Sequence, residues 1–441
     1  MWEQLKQLIL SLFGRKPAQS DDELRKAAKY ERSYKDITQL NLTAIVANKL
    51  ATLAVNDSSV SVMHGDYQTA RTELLDNIAQ RTWDKMHASV SAALGCGAVA
   101  LIPYCVGGKI YSDIVGQGRL FVTASQGDDI TQITILSDCI IRDSVRYMRF
   151  TDYSIDGRDY VIRNRATRDN GPCDLSSVAE WAAIQPEIRI QGVDRLPIGY
   201  IRCPADARNP DSLQGVPITY GAESIIADIK NTLEQIRKEY EKKKVRIFAD
   251  TTLFDKDKKI DEDLYVKFMR DAKLSDGSMI DIFDPAIRDS AYFARLTNSM
   301  ELLEKAIGVN KGVLTDLQTQ SATATQVRRS TYDTFALVGS IRREIMRGFN
   351  NFIYGCNVLA NYFTLTPPGD YTVSYDWDYS LLEDSAETFS QLMQAKNAGA
   401  VSVVDIRQFV KPDETPEEAQ AAIDKIKQNA PSLRQVIGVD E

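Results

Sequence analysis

The spacing of apolar positions changes along the chain, and each change marks a different kind of element. From Asp21 to about Leu94 the spacing is helical. Leu40, Ala44, Ala47 and Leu50 form one apolar face, with Val46 and Leu53 beside it, and Leu74, Leu75, Ile78, Trp83 and Met86 form another. VNDSSVSV between them reads as a turn and a short strand. Ahead of them, Trp2, Leu5, Leu8, Ile9, Leu12 and Phe13 predict a short amphipathic helix docked on protein. Over 98–204 the pattern becomes that of strands: short β-rich runs separated by glycines, with YCVGGKIYSD as a hairpin. This predicts a small, mostly antiparallel β-subdomain.

Helical spacing returns at YGAESIIADIKNTLEQIRKEYEKKK. Ile225, Ile226, Ile229, Leu233, Ile236 and Tyr240 form one stripe, which ends in Lys242, Lys243 and Lys244, cations suited to a helix C-terminus. VRIFADTTLF reads as a strand, DKDKKIDED as a polar turn and SMIDIFDP as another strand. A second helix follows, with Asp284 as N-cap, Pro285 in its first position and a stripe of Tyr292, Leu296, Met300, Leu303 and Ile307. If the two helices pack antiparallel, the insert between them sits at their far tip, as a head on a stalk.

GVNKGVLTDLQTQSATATQ interrupts the helices. Helical spacing then runs to about Phe363 through Val327, Thr331, Phe335, Val338, Ile341, Ile345, Phe349, Phe352, Cys356 and Leu359. A helix of that length spans about 60 Å if straight. Gly339, Gly348 and Gly355 inside it predict a bend, and Thr323 or Thr325 can cap its start. LTPPGDY stops it and YTVSYDW reads as a strand. Three helical runs close the chain: about 383–398 with Gly399 as C-cap, then SVVDIRQFV, then a run opened by Thr415, Pro416 and Glu418 in a capping box. The fold class is α+β, mainly helical.

Composition narrows the chemistry. A chain of 441 residues holds two to four folding units. Its net charge is −8, whereas a protein that grips nucleic acid through phosphates carries a basic excess. Tight non-specific DNA binding is therefore not expected. No apolar run is long enough to span a membrane, and the N-terminus lacks the basic start and cleavage site of a signal peptide. Cys96, Cys105, Cys139, Cys173, Cys203 and Cys356 form no C-x-x-C pair and read as buried, reduced thiols of a cytosolic protein. His64 and His87 are the only histidines, which disfavours histidine metal sites and Ser-His-Asp catalysis. VGGK, ending at Lys109, lacks the first glycine, the Ser/Thr and the helix of a phosphate loop. No cofactor fingerprint emerges.

Three stretches remain as candidates. Asp376, Asp378, Glu383 and Asp384 could hold two Mg²⁺ ions in a DNA-processing nuclease centred on Asp376, Asp378 and Asp384, or could be solvated acids at a helix start. DKDKKIDEDLY lacks the central glycine of a calcium loop, and its lysines oppose a cation. It reads as an exposed charged turn that can dock a partner. Arg328, Arg329, Arg342, Arg343 and Arg347 lie on or beside one polar face of the long helix, to contact DNA or to pair with acids of a neighbouring subunit or domain. The acidic balance of the chain favours the second. Taken physically, this is an assembly protein: long helices, a stalk with a head and no catalytic set.

The order of parts resembles the portal (head-to-tail connector) proteins of tailed bacteriophages, of siphophage type. The resemblance is carried by NLTAIVANKLATLAV with WDKMHASVSAALGCGAVAL, by IKNTLEQIRKEYEKKKVRIF, by FDPAIRDSAYFARLTNSMELLEKAIGV, by GVNKGVLTDLQTQSATATQVRRS and by VSYDWDYSLLEDSAETFSQLMQAKNAGAVS. It covers about Asn41 to Val410. It implies a wing over 1–217 (helical over 1–97, β-rich over 98–204), stem helices at 218–243 and 286–307 and an α/β clip at 244–285. A tunnel loop at 308–323, a long kinked wing helix with a strand over 324–380 and a helical crown over 381–441 would complete it. The long C-terminal barrel of some portals is expected to be absent.

The function implied is a dodecameric ring at one capsid vertex, a channel for packaging and ejecting double-stranded DNA without sequence specificity. Gln318, Thr319, Gln320, Ser321, Thr323 and Thr325 would line the channel. Lys244, Arg246, Asp255, Lys256, Asp257, Lys258 and Lys259 would form the docking face of the clip. The implied partners are further copies of the chain, the terminase large subunit, a head-tail adaptor, and the major capsid and scaffolding proteins. The resemblance implies no metal, cofactor, membrane or enzymatic activity, assembly in the host cytoplasm and residence in the virion. A monomeric adaptor that docks on another ring is a third reading, distinguished by failure to self-assemble.

Overall fold

The computed structural model describes residues 29–35, 40–65, 67–127, 129–169, 171–205, 213–242, 246–250, 265–268, 280–283, 288–315, 324–377 and 402–410, with isolated positions at 394, 396, 415, 420 and 422–424. The chain divides into two compact units, Met1–Ser321 with Ser330–Asp376, and Ala322–Arg329 with Trp377–Glu441. Helices and sheets are mixed, as an α+β protein requires.

The first unit opens with α1 (Leu42–Val55), α2 (Ala70–Trp83) and α3 (Met86–Cys96). The Asn41 side chain accepts from the Ala44 amide and caps α1, which leaves Leu40 outside the helix and 44% exposed. The buried face is therefore Leu42, Val46, Ala47, Leu50, Ala51 and Ala54, shifted from the expected one, with Ala44 and Leu53 half-buried. Thr69 and Thr72 form a reciprocal capping box at the start of α2. β1 (Ser59–Met63) pairs antiparallel with β14 (Thr372–Asp376), which joins distant parts of the chain. Trp83 stands edge-on to Phe349, 5.1 Å between centroids, beneath that ribbon.

The region predicted to be β-rich contains two sheets. β2 (Ala98–Val106) and β3 (Lys109–Gly116) form the expected hairpin, closed by Val106 opposite Lys109. Gly107 and Gly108 carry φ of 58° and 73°, the two left-handed positions that a tight two-residue turn demands. β10 (Gly199–Arg202) lies on the other edge of β2. The second sheet runs β4 (Leu120–Gln126), β5 (Asp129–Arg142), β6 (Val145–Asp156), β7 (Asp159–Arg168) and β8 (Gly171–Cys173), with β9 (Glu187–Gln191) also on β7. Its pairings are antiparallel, with a register shift between Leu136 and Asp138. The Asp138 carboxylate accepts from the Trp181 indole at 2.9 Å, which seats that ring in a cluster with Ala166 and Val178.

α4 (Glu223–Lys242) and α5 (Asp289–Ile307) are the two stripe helices. Between them in sequence lies a three-stranded sheet of order β12-β11-β13, made of β11 (Arg246–Asp250), β12 (Tyr265–Phe268) and β13 (Ile280–Phe283). β12 was not expected. Its four residues sit in a charged run and pair parallel to β11, a partnership without a local turn signal. Helix α5 begins at Asp289, with Arg288 in the N-cap position, rather than at Pro285. Asp284 and Pro285 lie outside the described residues.

α6 (Ala324–Tyr362) is the long helix, 39 residues. Val338, Ile341, Ile345, Phe349, Phe352, Cys356 and Leu359 are buried as the stripe predicts, but Phe363 falls beyond the helix and is 47% exposed. Two of the internal glycines allow a close backbone approach. A Cβ on Gly348 would stand 2.9 Å from the Tyr200 carbonyl oxygen, and one on Gly355 2.3 Å from that of Pro197. These two let the helix backbone lie directly on the segment that leads into β10, whereas Gly339 has nothing within 4 Å. At the far end, Arg71 of α2 is 1% exposed and donates to the Asn361 side chain at 2.7 Å and to the Thr366 carbonyl at 2.8 Å. It locks the helix end and the turn after it.

In the second unit, α7 (Val403–Val410) forms where SVVDIRQFV predicts a helix, with Ile406 buried. Gln420 donates to Asp424 one turn on, at 2.9 Å. The helix expected at residues 2–13 and the cap at Gly399 lie outside the described residues, as does the one at 383–398 except for Gln394 and Lys396, which are helical. The cysteines need correction. Cys96, Cys203 and Cys356 are buried, Cys105 and Cys173 are half-buried, and Cys139 is exposed, because strand alternation turns it outward from β5.

Candidate functional site

α4 and α5 pack antiparallel, and their polar contacts state the register. Near the start of α4, the Asp228 carboxylate meets the Arg295 guanidinium and accepts from Ser299 Oγ at 2.9 Å. Three turns on, Glu239 accepts from Arg288 Nη2 at 2.9 Å and from the Tyr292 hydroxyl at 3.0 Å. So the C-terminal end of α4 meets the N-terminal end of α5, and residues 243–287 connect the helices at that end. Apolar contact fills the seam: Ile229, Leu303 and Ile307 are buried, and Ile225, Leu233, Ile236, Leu296 and Met300 are half-buried. Tyr240, expected in the stripe, is 50% exposed. The Arg288 hydrogen bonds hold the Glu239 carboxyl down at about 2, and those of Arg295, then Ser299, lower Asp228.

At its other end α5 opens into the base of the Thr/Ser-rich loop. Gly308 ends the helix in the left-handed conformation, φ 78°, and the Val309 amide returns to the Glu304 carbonyl at 3.0 Å. The Glu304 side chain is 1% exposed and pairs with no basic side chain among the described residues. It accepts instead from the backbone amides of Gly312 at 3.1 Å, Leu314 at 2.7 Å and Thr315 at 3.0 Å, and from Thr315 Oγ1 at 3.2 Å. Successive amides converging on one anion form a backbone nest, here closed around a carboxylate of the same chain. A second clasp joins this base to α6. Asn310 donates its amide to Thr334 Oγ1 at 3.0 Å, and its side-chain oxygen accepts from the Thr334 amide at 3.0 Å and from Thr334 Oγ1 at 2.7 Å. A side chain of the loop base thus bonds the backbone of the long helix directly. Neither clasp was anticipated. The available signal was one glutamate beside Leu303 on the buried side of a stripe, followed by GVNKG.

The expected site residues are distributed unevenly. Gln318, Thr319, Gln320, Ser321 and Thr323 lie outside the described residues, as do Lys244, Asp255, Lys256, Asp257, Lys258 and Lys259. Arg246 is the first residue of β11, opposite Phe283. Thr325, Arg328 and Arg329 fall in the first turns of α6; Thr325 is inside the helix rather than at its N-cap. Arg343 and Arg347 are exposed, bonded to Ser340 and paired with Glu344.

Arg342 corrects the expected polar face. It is 5% exposed and donates from Nε to the Ala54 carbonyl at 3.0 Å and from Nη2 to that of Leu53 at 3.5 Å. A cation at these carbonyls complements the C-terminus of α1, so within the chain Arg342 is a structural clamp rather than part of an exposed polar face. Asp376 is exposed at the end of β14, opposite Ser59, while Asp378 and Asp384 lie outside the described residues. Among the described residues, no cluster of three or more His, Cys, Asp or Glu side chains is placed to hold a metal, and no helix is long and apolar enough to cross a membrane.

The described parts are thus a paired-helix stalk, a small sheet between its helices in sequence and a doubly clasped loop base. Over residues 39–432 the chain matches the family of phage portal proteins described as SPP1 Gp6-like, and it belongs to that family. No curated protein matches it.

Proposed function

We propose that about twelve copies of this chain close into a ring at one capsid vertex, through which double-stranded DNA is packaged and later ejected. In this reading 1–217 are the wing, 218–243 and 286–307 the stem and 244–285 the clip. The tunnel loop is 308–323, the long wing helix with its strand 324–380 and the crown 381–441. The observation that carries the reading is the antiparallel stalk formed by Asp228 with Arg295 and Glu239 with Arg288. Such a stalk separates a docking head at one end from a clasped loop base at the other.

The loop residues Gln318, Thr319, Gln320, Ser321, Thr323 and Thr325 are uncharged, so they touch a polyanion without gripping it. The net charge of −8 favours passage over trapping. Lys244, Arg246, Asp255, Lys256, Asp257, Lys258 and Lys259 dock the terminase large subunit and then the head-tail adaptor. Major capsid and scaffolding proteins meet the outer parts of the ring. Arg328, Arg329, Arg343 and Arg347 face DNA or the next subunit. The protein contributes no chemistry of its own, and ATP hydrolysis belongs to the terminase. Assembly occurs in the host cytoplasm and the finished ring resides in the virion.

Native mass spectrometry and negative-stain imaging test this. Discrete rings of about eleven to thirteen subunits are expected; a monomer at every concentration would reject the ring. Replacing Thr319, Gln320, Ser321 and Thr323 by lysine is expected to leave rings intact and slow packaging. Wild-type packaging yield in that variant would remove the loop from the channel.

A further inference from the structure

The six-stranded sheet, the β2–β3 hairpin and the end of α6 enclose a cleft of about 570 Å³ that nothing above uses. Its walls are mixed: Ile135, Ile162 and Ile188 are among the apolar residues, and Ser137, Thr151 and Asn164 among the polar ones. Tyr104, Tyr362 and Phe363 also line it and are 44%, 48% and 47% exposed. Large aromatics left open beside such a cleft are the composition of a protein-recognition site.

Arg149 supplies the polar anchor. On the same sheet, Arg142 pairs with Glu180, Arg158 with Asp194, Arg163 with Glu187, Arg165 with Asp152 and Arg189 with Glu187. Arg149 has only neutral partners, Asn164 Oδ1 at 3.2 Å and Thr151 Oγ1 at 3.4 Å. Its Nε is buried and makes no hydrogen bond. That atom is closed off within the fold, whereas the residue itself lines the cleft, so its charge is what an occupant meets. Both side chains that Arg149 touches are held by others. Thr151 is bonded to Ser137 at 2.7 Å, and Asn164 accepts from Thr151 at 2.9 Å and donates to the Gln185 carbonyl at 3.0 Å. The guanidinium is thus fixed within the cleft by a preorganised network. Arg119 and Asp113 are the other charged residues lining it, so cations exceed anions.

We propose that this cleft docks a segment of a partner polypeptide in which a carboxylate is flanked by apolar side chains. The carboxylate meets Arg149, the flanking side chains fill the space against Ile135, Ile162 and Ile188, and the aromatics cover them. Charge complementarity selects the carboxylate, and the volume suits a few side chains rather than a folded surface. The inference holds whether or not the chain forms a ring.

Fluorescence anisotropy on the full-length chain tests it, with fluorescein-labelled acetyl-Leu-Asp-Leu-Phe-amide as probe and the Asn-for-Asp peptide as control. Saturable binding of the acidic peptide is expected, weakened about tenfold or more by the Asn control and by Arg149→Gln. Arg149→Lys should retain part of the affinity, and Ile188→Trp, which fills the cleft, should abolish it. If Arg149→Gln fails to fold by circular dichroism, the Asn peptide and Ile188→Trp decide. No saturable binding up to about 1 mM would overturn the proposal. So would binding that survives both Arg149→Gln and Ile188→Trp. Octanoate binding that needs Arg149 while the peptide does not bind would make this a small-carboxylate site and reject the docking role.

Discussion

The side-chain oxygen of Asn310 accepts from the backbone amide of Thr334, 3.0 Å away, in the course of the long helix. Together with the amides gathered around Glu304, this bond ties the end of α5, the base of the loop and α6 into one hydrogen-bonded unit. Removing Glu304 leaves several inward-facing amides without an acceptor. Glu304→Ala is expected to lose about 3 kcal/mol of stability, since each buried donor left unpaired costs about 1–3 kcal/mol and part relaxes to water. Glu304→Gln keeps an acceptor and should lose less. Amide exchange should accelerate at residues 309–315 in both variants, and unchanged protection there would show that the nest does not hold the loop base.

The stalk should respond to acid. The Glu239 carboxyl, held by Arg288, has its pKa lowered from 4.5 to about 2. Folding therefore favours the ionised form. That stabilisation is fully present above the unfolded value and is lost as pH falls towards the folded one. The melting-temperature difference between wild type and Glu239→Gln should be constant above about pH 5 and shrink to nothing near about pH 2. A gap independent of pH across that window would place the stabilisation elsewhere.

Two glycines of α6 should behave in opposite ways. Gly348→Ala drives a Cβ to 2.5 Å from Ile201 Cγ1 and 2.9 Å from the Tyr200 carbonyl oxygen, so it should destabilise by about 1–3 kcal/mol. At Gly339 the added methyl meets nothing within 4 Å. Gly339→Ala should stabilise by roughly 0.5–1 kcal/mol through helix propensity. Paired urea titrations read both signs.

The cysteines should separate into classes under a thiol reagent. Burial pushes the Cys96 and Cys203 thiols up to about 12 and raises Cys356 as well, and all three are shielded from solvent. Cys139 is exposed on β5. Near neutral pH, Cys139 should be modified within minutes, while Cys96, Cys203 and Cys356 react only on unfolding. Mass mapping of the labelled protein distinguishes them. Early labelling of Cys203 would mean that the segment carrying β10 opens readily.

Much of the element order was legible because it depends on local periodicity. The stripes of α4, α5 and α6 run at helical spacing over many residues, and the Gly107–Gly108 turn needs a backbone that few other residues adopt. The β12 strand escaped because parallel pairing leaves no turn signal. Arg342 was misread for a related reason. The sequence shows only an arginine beside Arg343, while the partners that bury it, the carbonyls of Leu53 and Ala54, come from α1, far away along the chain.

The sequence by itself determined the long stripe helices and the antiparallel strands of the β-rich region, though not β12, and it carried the family. Both follow from short-range spacing and from the order of parts along the chain. Tertiary structure alone decided what each polar residue does. Glu304 faces backbone amides, Gly348 and Gly355 admit the backbone of Tyr200 and Pro197, and Arg149 meets Asn164 and Thr151 at the wall of a cleft. These depend on which distant atoms arrive at a given point, a long-range property that no local pattern records.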